Sequence, residues 1–185
     1  MSSAVSRQKE CKQCGTSFYP VRPMQAVCSP ICSSRFVKQA KKDERETTKA
    51  RKVAIKTIPE LIKAAQTAFN AYVRARDAGK PCICCGRSEA MGYGLAAHGY
   101  DCGHYRSTGS ASHLRFHEDN AHRQLVICNR HGGGRAVDYR IGLIARIGLE
   151  RVEALESNNE PHKWTREELI EIKENYKKKL KELNQ

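Results

Sequence analysis

The sequence has few aromatic residues and no long apolar run. Aromatic residues make up 6% of the 185 residues, with one tryptophan. We therefore expect a modest hydrophobic core, with part of the chain ordered by something other than apolar burial. No run approaches the roughly 18 apolar residues that indicate a membrane-spanning helix, and the N-terminus has no apolar signal region. These absences predict a soluble, cytoplasmic protein with no membrane partner.

Acidic residues are also scarce relative to basic ones. The chain has 33 lysines and arginines against 20 acidic residues, which gives a formal net charge of +13 and a pI near 9.5. Such an excess favours a polyanionic partner, because each neutralised phosphate releases counterions and adds affinity that does not depend on sequence. Nucleic acid is the first candidate, although charge alone does not distinguish DNA from RNA.

Cysteine, by contrast, is abundant. The nine cysteines are expected to stay reduced inside a cell, so their close pairing indicates metal binding. Four of them form two pairs with spacings Cys-x2-Cys and Cys-x3-Cys: Cys11, Cys14, Cys28 and Cys32. This pattern is typical of tetrahedral zinc, and four thiolates leave no position for water or substrate. Residues 1–34 are therefore predicted to form a module held by structural zinc.

A second group of cysteines lies in the middle of the chain. Cys82, Cys85 and Cys128 indicate another zinc site that joins a loop to a helix. Four polar residues stand between or just after them: Asp101, His104, Asn120 and Asn129. Hydrolysis of a phosphodiester needs a base, a divalent ion and a group that orients the base. These side chains can supply all three.

The helix signals are clearest outside this region. Residues 35–57 hold nine basic and three acidic residues, which predicts a solvated helix or basic arm, with a plain linker as the alternative. Helical spacing of apolar residues predicts an amphipathic helix over 59–78 and another after Gly134, interrupted at Gly148. Thr165 and Glu168 form a capping box that begins a last helix.

The motifs together resemble one family. They are Pro-Cys-x2-Cys-Gly at 81–86, Asp-Cys-Gly-His-Tyr at 101–105, Leu-Arg-Phe-x3-Asn-x-His-x-Gln at 114–124 and Cys-Asn at 128–129. With the N-terminal cysteines and the stretches at 139–148 and 163–165, they are similar to the NinG (Rap) recombination proteins of lambdoid phages over nearly the whole chain. The central motif also resembles HNH (ββα-metal) nucleases of the endonuclease VII type.

The resemblance implies a structure-specific endonuclease of the host cytoplasm that cuts branched or single-strand-containing DNA, such as Holliday junctions and D-loops, with magnesium or manganese. His104 would be the general base, Asn120 would orient its imidazole, and Asn129 would be a ligand of the catalytic ion. Asp101 is the expected second ligand, reached through a bend at Gly103. Its alternative role is that of an ordinary carboxylate at the end of a strand or in a turn.

The chain departs from the family pattern at the second zinc site. The pattern calls for a second Cys-x2-Cys pair ending at Cys128, but position 125 is leucine. Four residues are candidates for the missing ligand: Cys102, Cys84, His122 and His131. We favour Cys102 because it lies beside the active strand. Alternatively, this zinc is weak or absent, and apolar packing around Leu125 holds the region.

The predicted fold is α+β. It comprises a four-cysteine zinc module (1–34), a basic linker or helix (35–58), and an HNH-like nuclease domain with flanking helices (59–185). A homodimer would suit a symmetric junction. The second hypothesis is a noncatalytic zinc protein that binds DNA or RNA and assists recombination, which Leu125 and the position of Asp101 favour. A zinc adaptor that binds protein would explain the cysteines but not the charge.

Overall fold

The structure is a computed structural model, and it describes residues 7–88 and 99–185. These residues form a mostly helical α+β protein with two small antiparallel sheets, which confirms the predicted fold class. They divide into two compact units, one up to Lys56 and one from Thr57. In the part described, no helix is both long enough and apolar enough to cross a membrane. The elements are β1 (Lys9–Glu10), β2 (Ser17–Phe18), α1 (Pro30–Ala54), α2 (Ile58–Arg76), β3 (Tyr100–His104), β4 (Ala121–Leu125), α3 (Ala136–Ile147), α4 (Leu149–Ser157) and α5 (Arg166–Leu183).

The first unit consists of a small hairpin and one long helix. β1 pairs with β2, with Lys9 opposite Phe18. α1 begins at Pro30, where the Ser29 hydroxyl accepts a hydrogen bond from the Cys32 backbone N–H at 3.2 Å. Serine before a helix and proline in its first turn are strong start signals. The rest of α1 is rich in alanine, lysine, arginine and glutamate, which favour helix even without burial.

The core of the second unit lies between α2 and α5. Both helices begin with a capping box, Thr57 with Glu60 and Thr165 with Glu168, as predicted for the second. The Phe69 ring of α2 is edge-on to the ring of Tyr176 on α5, with 4.8 Å between centroids. The side chains buried in this core include Leu61, Ala65, Phe69, Val73, Cys102, Phe116, Leu169 and Tyr176. Apolar helix faces spaced as in the sequence therefore meet as expected.

The β3–β4 hairpin separates this core from a second one. The two strands are antiparallel, with Tyr100 opposite Leu125 and His104 opposite Ala121. The second core is built on α3 and α4, whose break at Gly148 is confirmed, and it contains Ile83, Leu114, Tyr139, Leu143, Val152 and Leu155. The Tyr139 hydroxyl donates to the Gly103 carbonyl at 2.9 Å. After β4 the chain passes into a short π-helical turn, Ile127–His131.

A buried carboxylate fastens the end of α2 to β4. Asp77 is fully buried and accepts hydrogen bonds from Arg76 at 2.8 Å, Lys80 at 2.9 Å and the Arg123 backbone N–H at 3.2 Å. Burial raises the pKa of Asp77, but hydrogen bonds from His122, Arg76 and Lys80 outweigh it and hold the pKa well below the usual value. His122, one of the residues considered for the zinc site, instead belongs to this network.

Candidate metal centres and active site

The four N-terminal cysteines converge in the first unit. The Sγ atoms of Cys11, Cys14, Cys28 and Cys32 all lie within 4.8 Å of one another. The Cys14–Cys28 and Cys28–Cys32 sulfur distances are both 3.6 Å. Four thiolates with zinc–sulfur bonds of about 2.3 Å in a tetrahedron lie about 3.8 Å apart. The cluster therefore has the ligand type and spacing of a structural zinc site.

A second group of four sulfurs forms beside the β3–β4 hairpin. It consists of Cys82, Cys84, Cys85 and Cys128, whose Sγ atoms also lie within 4.8 Å of one another. The Cys82 and Cys84 sulfurs are 3.5 Å apart. β4 supplies two N–H donors to them, because the Leu125 backbone N–H lies 3.3 Å from the Cys82 sulfur and the Gln124 amide lies 3.5 Å from the Cys84 sulfur. Such donors stabilise thiolates that bind a metal.

Both clusters begin with the same turn. The carbonyl of Cys11 accepts from the Gly15 N–H at 2.9 Å, and that of Cys82 accepts from the Gly86 N–H at 3.0 Å. Gly15 and Gly86 have φ values of 72° and 68°, in the left-handed region that favours glycine. The Cys-x2-Cys-Gly pattern thus folds in the same way at two places in the chain.

The pKa values of the thiols in these clusters differ widely. Burial raises the pKa of Cys11, but backbone N–H donors, chiefly that of Cys28, outweigh it and lower the pKa to about 6. Burial likewise raises the pKa of Cys85, and hydrogen bonds from Arg87 lower it to about 7. The neighbouring sulfurs, first that of Cys32, raise the pKa of Cys28 to about 12. Only a cation among the sulfurs would favour four thiolates at once.

Cys102, the expected fourth ligand, lies outside the second cluster. It packs in the α2–α5 core beside Phe69, and burial raises its pKa to about 12. The position of Cys102 in β3 directs its side chain to that core, because successive residues of a strand point to opposite faces. Cys84 takes its place within the Cys-x-Cys-Cys run. Leu125 is buried beside Cys82 and Cys128, so apolar packing adds to the thiol cluster.

Asp101 and Asn129 meet at the junction of β3 and the π-helical turn. The Asn129 side-chain Nδ2 donates to Asp101 Oδ2 at 3.0 Å. Arg130 contacts both carboxylate oxygens, at 2.8 and 2.9 Å, and holds the pKa of Asp101 below its usual value. Carboxylate and amide oxygens are ligands of hard divalent ions such as magnesium or manganese. To bind such an ion, the Asn129 amide would turn so that its Oδ1, in place of the Nδ2 that donates here, lies beside Asp101.

His104 lies at the end of β3 with neighbours different from those of Asp101. Its ring is half-buried, 6.0 Å from the Phe69 ring centroid, and its Nε2 donates to the Arg115 carbonyl at 3.1 Å. This contact places the proton on Nε2, which leaves Nδ1 as the acceptor. Burial lowers the pKa of His104, so the ring stays neutral near pH 7.

The expected bend at Gly103 does not form. β3 stays in register through this residue, with Gly103 opposite His122. Since Asp101 and His104 are three residues apart, their side chains leave opposite faces of the strand. Position 103 requires glycine for a different reason. A Cβ at this position would collide with the buried Gln124 side chain.

Asn120 does not contact the imidazole that it was expected to orient. Its side chain is fully buried, and its Oδ1 accepts from the Arg106 backbone N–H at 2.8 Å. Its Nδ2 donates to the carbonyls of Arg106 at 3.0 Å and Leu114 at 3.1 Å. Asn120 therefore holds the loop between β3 and β4, and that loop carries the Arg115 carbonyl bound by His104.

Comparison with known proteins agrees with this combination of motifs. Residues 3–185 match the family described as Bacteriophage Lambda NinG protein. The chain belongs to this family. It is 40% identical to Protein ninG of Escherichia phage lambda, over 97% of this chain and 95% of the relative. It is 39% identical to the proteins of the same name from Salmonella phage P22 and Escherichia phage 933W, over 97% of this chain and 96% of each. No solved structure matches.

This NinG-family chain also contains functional candidates to which the sequence analysis gives no role. Arg130 neutralises Asp101, the Arg115 carbonyl accepts the hydrogen bond from His104, and Asp77 joins α2 to the hairpin. Two of them had a sequence signal, since Arg130 directly follows the Cys128-Asn129 motif and Arg115 lies within the motif at 114–124. The role of Asp77 depends on contacts between residues far apart in sequence, which spacing does not reveal.

Proposed function

We propose that this NinG-family protein is a metal-dependent endonuclease of the HNH type that cuts branched DNA recombination intermediates. One observation carries the proposal: a hairpin that runs into a short helical turn and brings Asp101 to Asn129, with His104 at the end of the same hairpin strand. The order strand, strand, helix is that of the ββα-metal nucleases whose motif the sequence resembles. Excess basic charge supports a nucleic-acid substrate.

In this proposal Asp101 and Asn129 hold a magnesium or manganese ion through oxygen atoms. The bound ion would neutralise charge that develops on the phosphate and stabilise the leaving oxygen. Arg130 must then release the carboxylate. Its side chain is exposed, so it can turn towards a DNA phosphate at little cost.

His104 acts as the general base. The Arg115 carbonyl fixes the ring and its tautomer, so that Nδ1 can take a proton from water. Asn120 is a positioning residue that works through the loop carrying that carbonyl. Asp101 lies near the start of β3 and His104 at its end, on opposite faces of the strand and about 10 Å apart along it. The mechanism therefore requires that DNA binding bring both side chains to the scissile phosphate.

A metal titration with one ligand removed tests the proposal. Full-length protein is incubated with a labelled four-way junction or a linear duplex of the same sequence, at increasing magnesium or manganese. We expect faster cutting of the junction, and an Asn129→Ala variant that needs about tenfold more metal for half-maximal rate, since it lacks one oxygen ligand. Asn184→Ala, at the exposed end of α5, is the matched control. Absence of cutting in every metal would refute nuclease activity, and an unchanged titration would refute the role of Asn129.

The pH dependence of cleavage should reflect the burial of His104. A protonated ring cannot accept a proton from water, and burial lowers the His104 pKa. The rate of cutting a pre-bound junction should therefore stay constant as pH falls to about 6.5, the ordinary histidine value, and decline only below it. The exposed His131 provides the control, because His131→Gln should leave the profile unchanged. A decline that begins above pH 6.5 would contradict the assignment.

The second candidate is a noncatalytic zinc protein that binds nucleic acid in recombination. The specific observation in its favour is that Arg130 already occupies both oxygens of Asp101, on the strand face opposite His104. This function predicts tight junction binding, no cutting with any metal, and identical behaviour of wild type and His104→Ala. We propose branched DNA as the partner of the nuclease, and a homodimer would match the symmetry of a four-way junction.

A further inference from the structure

One face of α1 carries a continuous row of basic side chains. Its members follow one another at alternating spacings of three and four residues, which keeps them on one side of a helix. This basic stripe consists of Arg35, Lys38, Lys42, Arg45, Lys49 and Lys52. At about 1.5 Å rise per residue, it is about 26 Å long.

The stripe serves no packing or pairing role in the first unit. All six side chains are exposed, and Cys32 is the one buried residue of α1. Among the residues that the structure describes, none of the six forms a salt bridge with a carboxylate. The acidic residues Asp43 and Glu44 lie on other sides of the helix, and Glu46 lies at the edge of the stripe, four residues after Lys42 and three before Lys49. Like charges at these spacings repel one another and destabilise a helix, so a polyanion lying along the row would stabilise α1.

The stripe continues into the turn of the first thiol cluster. A groove of about 580 Å³ is lined by Gln13, which lies between Cys11 and Cys14, and by the N-terminal part of the stripe with Gln39 and Lys41. Cys32 of the same cluster lies in the first turn of α1. The cluster thus sets an amide donor next to guanidinium and ammonium groups, a combination suited to phosphate oxygens.

We propose that this stripe and groove form a DNA-binding surface in which α1 follows the phosphate backbone, separately from the hydrolytic site. Each strand of a duplex presents one phosphate per roughly 3.4 Å of axis and winds round that axis, so a straight row of about 26 Å meets the subset of phosphates that faces it. The surface contacts phosphates and not base edges, and so adds affinity without sequence preference. The choice of DNA as the polyanion rests on the proposed function.

The composition of α1 favours DNA over an anionic membrane. Membrane-surface helices place large apolar residues opposite their basic face. Of the four large apolar residues of α1, Ile31, Phe36 and Val37 stand at its start and Val53 at its end, and residues 39–52 contain none. No apolar stripe is therefore available to enter a lipid surface along the length of the basic one.

Charge removal from the stripe tests the inference in the full-length protein. The stripe variant combines Lys38→Gln, Lys42→Gln, Arg45→Gln and Lys49→Gln. The control removes four exposed positive charges elsewhere, by Lys163→Gln, Lys177→Gln, Lys178→Gln and Lys181→Gln. Binding to a 30-bp duplex and to a four-way junction is measured at several salt concentrations, without magnesium or chelator. We expect the stripe variant to bind roughly 30- to 100-fold more weakly, and its log–log salt slope to fall by about three to four.

Two further measurements test whether the stripe variant is folded and whether charge accounts for its weaker binding. Circular dichroism and zinc content show whether the first unit is still folded, and a Lys38→Arg/Lys42→Arg/Lys49→Arg variant should restore wild-type binding because it retains the charge. Equal weakening by the control variant, or an unchanged salt slope, would overturn the inference. Stripe-dependent binding to anionic vesicles with no binding to DNA would also overturn it. A protein that binds through the stripe yet cuts nothing refutes the nuclease proposal alone.

Discussion

Replacing His104 with alanine is expected to slow junction cleavage by about 10²- to 10⁴-fold, the usual contribution of a general base. The ring is the group at the end of β3 whose Nδ1 is left to accept a proton, since Nε2 donates to the Arg115 carbonyl. Binding should change little, because the side chain is half-buried against Phe69 and carries no charge at neutral pH. The measurement is single-turnover cleavage of a labelled junction at saturating metal.

His113→Ala is the control for this experiment, because His113 lies on the same β3–β4 loop and bonds the Asn158 carbonyl at 2.8 Å. A His104→Gln variant is a second control, because glutamine fills more of the space beside Phe69 than alanine but cannot act as a base. Cleavage by both His104 variants at the wild-type rate would refute the assignment of the base. Equal losses in the His113 and His104 variants, with lowered thermal stability, would indicate a structural effect of the loop.

Replacing Cys84 with serine is expected to lower the zinc content from about two ions per chain to about one. The four sulfurs beside the hairpin lie within 4.8 Å of one another, and Cys84 is one of them. Structural zinc contributes roughly 10 kcal/mol or more of apparent binding free energy to small modules, so losing a ligand should also lower the melting temperature markedly. Zinc is measured by elemental analysis and stability by thermal unfolding.

Cys102→Ser provides the matched control for this second experiment. Cys102 lies in the α2–α5 core, where a hydroxyl without a partner costs about 1–3 kcal/mol. The control should therefore lose stability but keep both ions. The opposite pattern, with zinc lost from Cys102→Ser and retained by Cys84→Ser, would restore the ligand expected from sequence. Equal zinc contents in the two variants would contradict the assignment to Cys84.

The helices were predictable because their signals are local. The capping box of Thr165 and Glu168, the break at Gly148 and the apolar spacing of α2 each lie within one or two turns of sequence. The N-terminal cysteines were predictable for the same reason, since each pair forms its own turn. Local patterns of this kind require no knowledge of which elements meet.

The centre of the site depended on contacts between distant residues. The face to which Cys102 points is fixed by the register of β3 with β4, about twenty residues later in the chain. The same register separates Asp101 from His104 and requires glycine at position 103. Cys84 was one of several possible ligands because Cys-x-Cys spacing does not by itself choose a partner. Asn120 was identified as an important position, but its contacts are with the loop backbone and not with imidazole.

Because α1 carries the basic stripe, salt is expected to have two opposite effects on the first unit. At low ionic strength, repulsion along the stripe is strongest and the helix is least stable, yet phosphates are then bound most tightly. Added salt screens the repulsion between the basic side chains, and its ions also compete with DNA for those side chains. The duplex can therefore replace the mobile counterions, so that α1 would be most rigid when DNA lies against it. Its order would then depend on the ligand as much as on its own sequence.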